Sequence, residues 1–235
     1  KTTTMYALAY IFQEDGKKVV VTTSTHLQAP PEEIRARNIE EIRNLWKAGQ
    51  IAVIGTDCES GRESGTDRQK EEKKSVRKMS MPERELLQEA LQEADVVLVE
   101  ADGAKHLPCK VPIEKEPVIL PQCTDVIAVM GMDALGKPLE EVCFRKDLAV
   151  QFLNTGYEHL MTEEDLVKIL LSEQGSRKGV GKRAYFIILN KCDEEEIRER
   201  AEKIRSLLNE KGIENVIITN LKNRKNELKK YFIPA

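Results

Sequence analysis

A chain of 235 residues with 40% hydrophobic and 33% charged side chains is long enough to bury a sizeable core and too apolar to remain disordered. Lysine and arginine (37) nearly balance aspartate and glutamate (40), so the net charge of -3 offers no basic footprint for nucleic acid, and 5% aromatics leave little material for base-stacking platforms. No apolar run approaches the roughly 20 residues of a membrane helix, no leader pattern is present, and the five cysteines (Cys58, Cys109, Cys123, Cys143 and Cys192) are odd in number without a C-x-x-C pair; disulfide frameworks and structural zinc are disfavoured, and a cytoplasmic setting is expected.

From Thr2 the stretch T-T-T-M-Y-A-L-A-Y-I-F places apolar residues at helical spacing. Lys17 to Val21 reads as a buried strand that ends in the polar turn Thr22 to His26. Pro30 and Pro31 introduce an amphipathic helix, E-E-I-R-A-R-N-I-E-E-I-R-N-L-W, closed by Ala48-Gly49. Ile51 to Ile54 predicts a second strand, and residues 56–79, rich in Gly, Ser, Lys, Arg and Glu, a mobile loop. Pro82 to Ala94 is helical in pattern, and Val96 to Val99 is an all-apolar run typical of a strand covered on both faces. Val126 to Met130, Phe186 to Leu189 and Val216 to Ile218 repeat that signature. Candidate helices at Phe144 to Leu153 and Glu163 to Leu171 mark residues 131–180 as a helical insertion before the last strands. Apolar strands alternating with helices indicate an α/β fold, a single domain over 1–235 with a mostly parallel sheet and helices on both faces.

Lys1-Thr2-Thr3 stands directly before the first helix, as do the last positions of the phosphate-binding loop G-x-x-x-x-G-K-[ST]. In that loop the lysine neutralises outer phosphates and the hydroxyl binds Mg²⁺. Alone, K-T-T is equally a solvated lysine followed by an N-capping threonine. The chain begins at Lys1 rather than Met, so the glycines of a complete loop would stand upstream. Asn190-Lys191-Cys192-Asp193 follows a strand in the N-K-x-D pattern that reads guanine, where a carboxylate accepts hydrogen bonds that adenine cannot supply; the plainer alternative is a polar turn in which Asp193 caps the next helix. V-V-L-V-E-A-D-G, Val96 to Gly103, ends a strand with two acids. Glu100 is the first choice for the magnesium shell, Asp102 for a second acid or water positioner, and Gly103 for contact with a γ-phosphate. Phosphate lysine, acid with glycine, and base reader occur in the order of one nucleotide site, which implies a three-layer sandwich of the phosphate-loop NTPase kind.

K-T-T-T-M at the start, T-T-S-T-H at Thr22 to His26, L-V-E-A-D-G-A-K-H-L-P-C-K at Leu98 to Lys110 and E-P-V-I-L-P at Glu116 to Pro121 resemble the YqeC family over essentially the whole chain. The resemblance implies an accessory role towards a selenium-dependent molybdenum hydroxylase or its cofactor. The E-x-x-G and N-K-x-D elements are also similar to GTPases that assist metal insertion.

Other polar residues cluster near these motifs. Thr22, Thr23 and Ser24 end a strand and could either approach Mg²⁺ or simply close a turn. His26 and His106 lie next to the predicted site loops, as candidates for a transferred ion or a substrate or as plain surface residues; Lys105 and Lys110 are candidates for phosphate or an anionic substrate such as a pterin phosphate, or solvated loop residues; Cys109, between basic neighbours, is a candidate for a lowered thiol pKa, and Cys58 for a partner contact.

The expectation is a protein that binds and slowly hydrolyses a nucleoside triphosphate with Mg²⁺, GTP favoured and ATP open. Lys1, Glu100 and Asp102 would act at the phosphates; Lys1, Thr2, Thr3, Gly103, Asn190, Lys191 and Asp193 would bind nucleotide, and Thr2 and Glu100 would hold the metal. An ATP-dependent ligase or kinase and a non-hydrolysing nucleotide-binding scaffold remain as alternatives, and neither nucleic acid nor membrane is expected as a partner.

Overall fold

The computed structural model describes residues 1–58 and 77–220. The chain forms two compact units, one of Thr2 and residues 4–100, the other of Lys1, Thr3 and the residues from Ala101 onward. Both mix helices with mostly parallel strands. Most of the segment 56–79 expected to be mobile lies outside the described residues.

In the unit that ends at Glu100, α1 (Thr2–Glu14) turns Met5, Leu8, Ala9 and Ile11 inward and stops before Gly16, whose φ of 74° suits the left-handed residue after a helix. The next elements are β1 (Val19–Thr23), β2 (His26–Gln28), β3 (Arg35–Ala36), α2 (Ile39–Lys47), β4 (Ala52–Ile54), β5 (Thr56–Asp57), β6 (Lys78–Ser80), α3 (Arg84–Glu93) and β7 (Val96–Glu100). A parallel sheet runs β3-β4-β1-β7. A small antiparallel sheet runs β2-β6-β5. Met5, Ala9, Val19, Val21, Ile51, Val53 and Met79 belong to one apolar cluster.

Two details differ from the periodicity. The helix expected directly after Pro31 starts only at Ile39, because the Asn38 side chain accepts the Glu41 amide at 2.9 Å and sets the N-cap there. Arg35 and Ala36 instead pair with Val53 and Ile54. Val96 to Val99 are half-buried rather than covered on both faces, since among the described residues β7 is the edge of its sheet.

The second unit contains β8 (Cys109–Lys110), β9 (Asp125–Gly131), α4 (Leu139–Val142), β10 (Cys143–Phe144), α5 (Lys146–Leu153), α6 (Glu163–Leu171), β11 (Ala184–Asn190), α7 (Glu195–Glu210) and β12 (Val216–Ile218). β12-β11-β9 form a parallel sheet, and β8 pairs in parallel with β10. Helix α6 forms over the predicted residues, with a capping box between Thr162 and Asp165. Arg200 on α7 holds Glu163 at 2.9 Å, and Ala201, Ile204 and Leu208 enter the same core as Leu166 and Leu170. The N-cap position of α7 is Glu194, whose side chain makes no capping hydrogen bond, so Asp193 stands one residue outside the helix start rather than capping it.

Ile187, Ile188 and Leu189 are fully buried at the centre of this sheet, where successive side chains enter opposite faces and both must be covered. Replacing Ile187 by Ala is expected to cost about 3 kcal/mol in a urea titration, with the slope unchanged. A loss below about 1 kcal/mol would show that this position is not close-packed.

Candidate functional site

A parallel ladder delivers its strands' carboxyl ends to one edge, where ligands of open α/β sheets are held. β1 and β7 pair in register from Val19↔Val96 to Thr23↔Glu100, so Glu100 stands at that edge. Its carbonyl is fixed by Thr23 Oγ1 at 2.9 Å and by the Ser24 amide at 3.2 Å. Its carboxylate accepts from the Thr2 hydroxyl, which lies 3.0 Å from each oxygen. Two residues 98 positions apart are thereby brought together by α1 and β7. One turn on from Thr2, the Tyr6 hydroxyl is buried without a partner; burial pushes its pKa to about 12, with Tyr10 and Glu100 adding to the rise.

A hydroxyl and a carboxylate are the hard oxygen donors that Mg²⁺ takes from proteins, usually one or two at a time with phosphates and waters completing the shell. Adjacent corners of an octahedron with metal–oxygen bonds of about 2.05 Å are about 2.9 Å apart. The 3.0 Å spacing of Thr2 and Glu100 therefore fits such a pair. Among the described residues there is no group of three or more His, Cys, Asp or Glu side chains suited to a metal held by protein alone. Thr3 is exposed in the first turn of α1. The hydroxyls of Thr22 and Thr23 are spent on the Ile54 and Glu100 carbonyls.

The second unit gathers charge. Lys110 is buried, with only 3% of its side chain exposed, and its amine lies 3.2 Å from Asp102 and 2.6 Å from Glu116 while donating to the Gly103 carbonyl at 2.8 Å. Lys1 is ion-paired to the other oxygen of Asp102, and Arg145 to Glu116 at 2.9 Å. Burial alone would raise the pKa of Asp102, but Lys1 and Lys110 reverse it and hold the carboxyl below its usual range. Glu116 is likewise raised by burial and lowered further by Lys110 and Arg145. Asp102 is thus a permanent anion at neutral pH, suited to positioning its two lysines rather than to taking a proton.

Backbone pairing explains the gathering. β8 and β10 set Lys110 opposite Phe144 and Cys109 opposite Cys143. Lys105, Lys110 and Arg145 all lie over the Phe144 ring, at 5.6, 5.6 and 4.9 Å from its centre. The two thiols are buried and 3.3 Å apart. Contact with Cys143 and complete burial push the Cys109 thiol well up, so the lowered pKa expected from its basic neighbours does not arise: desolvation outweighs their charge.

The N-K-x-D segment occupies the carboxyl end of β11. Asn190 is in register with Gly131 of β9 and accepts the Thr219 hydroxyl at 3.1 Å. Thr219 also takes the Cys192 amide at 3.2 Å and donates its own to Leu189 at 2.8 Å, fastening the turn to the end of β12. Lys191 has a φ of 68° and reaches Asp133 at 2.6 Å. Asp193 is exposed, and its carboxylate has no hydrogen bond or ion pair among the described residues. Near this turn, Asp133 Oδ1 and Asn220 Oδ1 are buried without a partner among the described residues. Gly131 permits the close approach, since a Cβ there would lie 2.6 Å from both Pro108 Cβ and Asp133 Oδ1.

Thr219, Asn220, Asp133, Glu116, Phe144 and Arg145 were not singled out by sequence reasoning. A signal existed for the first three, as polar residues soon after the apolar runs V-I-I (Thr219 and Asn220) and V-I-A-V-M (Asp133, beyond Gly131 and Met132). His26 is exposed on β2, and His106 is exposed beside Lys105, both of the latter in the left-handed region with φ of 67° and 47°. Cys58 is partly exposed at the limit of the described segment.

A family model for YqeC protein matches residues 1–147 of the chain. YqeC of Escherichia coli (strain K12), a protein itself described as uncharacterized, is 29% identical over 206 residues, covering 80% of this chain and 71% of the relative. No solved structure matches. Among the described residues no helix is long and apolar enough to cross a membrane.

The buried cluster predicts a pH signature. Carboxyls held low in the folded state stabilise it above their unfolded pKa values, near 4, and that contribution is lost as pH falls through the folded values. Lys110→Met is expected to cost about 3 kcal/mol at pH 7, because two carboxylates lose their shared amine. The deficit should shrink in urea titrations near pH 3, where protonated carboxyls need no cation. A deficit independent of pH would contradict the ion-pair account.

Proposed function

Because the chain belongs to the YqeC family, whose name assigns no reaction, we propose from the site itself that it binds a nucleoside triphosphate with Mg²⁺, prefers guanine, and hydrolyses the nucleotide slowly. The observation that carries this reading is the hydrogen bond of Thr2 to Glu100, the hydroxyl and carboxylate that the sequence pairs for a single cation. In this reading the fold is of the phosphate-loop NTPase kind. Thr2 and Glu100 hold Mg²⁺, which supplies charge neutralisation at the phosphates. Lys1, steadied by Asp102, presents its amine to the outer phosphates, and the Gly103 amide faces the γ-phosphate. Thr23 and Ser24 keep Glu100 at the strand end by holding its carbonyl.

At the base, Asn190 braces the turn through Thr219, Lys191 is drawn aside by Asp133, and the exposed Asp193 carboxylate accepts from the guanine N1 and amino groups. Adenine leaves that carboxylate unmatched, which is the source of discrimination. Hydrolysis in this scheme switches loops rather than supplying bulk turnover. The setting, maturation of a selenium-dependent molybdenum hydroxylase or of its cofactor, rests on the family resemblance alone.

Competition binding on the native protein tests this reading. GTP with Mg²⁺ is expected to bind saturably and to resist displacement by equimolar ATP. Asp193→Asn should cut the preference for GTP over ATP by about tenfold or more, since the variant offers guanine a donor where an acceptor is needed. Equal affinity for the two nucleotides, or an unchanged ratio in the variant, would remove Asp193 from the base site.

A further inference from the structure

The charge cluster of the second unit holds more cation than its own carboxylates require. Lys105, Lys110 and Arg145 stand against Asp102 and Glu116, and Asp102 is further shared with Lys1. Lys110 is enclosed by two carboxylates and a carbonyl, whereas of the other two cations on the Phe144 ring Arg145 has one carboxylate and Lys105 is exposed. Arg145 gives Nη2 to Glu116, while its Nε is buried without a partner among the described residues. Lys105 lies over the ring face.

Three cations drawn to one ring repel one another, and burying an unmatched guanidinium N–H costs free energy. Such an arrangement persists when the surrounding fold enforces it, and the backbone shows that enforcement. Of the five non-glycine residues with positive φ among those described, Lys105 and Arg145 belong to this cluster. Strain of that kind concentrates where residues are positioned for a ligand. Arg145 is also the residue directly before α5, where no side chain caps the helix start, so the positive end of the helix adds to the same field.

We propose that Lys105 and Arg145, backed by Lys110, form a binding site for a dianionic tetrahedral oxyanion, either free phosphate or the phosphate group of a small phosphomonoester. The partly exposed Arg145 guanidinium and the exposed Lys105 ammonium, both drawn to the Phe144 ring, offer donors to the oxygens of such an anion, whose charge of about −2 suits a cluster in which cations outnumber carboxylates. The site goes beyond the nucleotide reading and stands without it, because Lys105 and Arg145 take no part there. If both readings hold, the protein handles a second, anionic small molecule beside its nucleotide.

Isothermal titration of the native protein with inorganic phosphate, and in parallel with glycerol 3-phosphate, tests the site; whichever binds more tightly identifies the source. Saturable binding is expected, weakened about tenfold or more in both Lys105→Ala and Arg145→Ala, weakened less than in either of these by Lys1→Ala, changed less than about threefold in Lys105→Arg, and absent with acetate. Lys105 touches no carboxylate among the described residues, so its variant keeps the test decisive should Arg145→Ala fail to fold. Absence of saturable binding overturns the proposal. So does loss of binding in Lys1→Ala with none in Lys105→Ala, or equal loss in all three alanine variants, because phosphate would then be occupying the nucleotide's own site. Phosphate binding that follows Lys105 in a protein that binds no GTP would leave this site standing while the nucleotide reading falls.

Discussion

Lys110 is an ammonium taken almost wholly out of water, which is tolerable only because two carboxylates and a carbonyl surround it. Much of the second unit's chemistry follows from that constraint. Asp102 must remain ionised to neutralise Lys110, and an ionised Asp102 also anchors Lys1. Glu116 must face the same amine, and it draws Arg145 in behind it. Removing one member leaves the others as unmatched buried charges, so the set stands or fails together.

The same logic separates holding from reacting. A carboxylate flanked by two lysines is a poor proton acceptor at neutral pH but a dependable positioner of cations. Glu100 accepts the Thr2 hydroxyl, and oxygen donors at that spacing are what a hard divalent cation asks for. The two acids of E-A-D are two residues apart in sequence and differ in role because their partners differ. Asp193 is a third case, an exposed carboxylate without a described protein partner, which leaves its acceptor capacity for something else.

Much of the scaffold was legible in the sequence. Val126 to Met130, Phe186 to Leu189 and Val216 to Ile218 are continuous apolar runs because buried parallel strands need apolar side chains on both faces, and α6 announced itself through Thr162 and three following acids. The segment after Pro31 misled because its period continues through Arg35 and Ala36, while pairing with β4 and the Asn38 cap decide the outcome locally. The pairing of Thr2 with Glu100 could be expected because each sits in a motif of known spacing. The Lys110, Glu116, Phe144 and Arg145 cluster could not, since it depends on two-residue strands too short to leave a periodic trace. Cys109 shows the limit of reading charge from neighbours in sequence: its basic neighbours suggested a reactive thiolate, and burial against Cys143 reverses that.

The central claim, a nucleotide held through a cation shared by Thr2 and Glu100, is tested most directly by a double-mutant cycle on the Mg²⁺ dependence of GTP affinity, using Thr2→Val, Glu100→Gln and the pair. The account predicts that Mg²⁺ tightens GTP binding to the native protein, that each single change removes most of that gain, and that the double variant loses little more than either single one. GTP affinity independent of Mg²⁺, or losses that simply add, would contradict it.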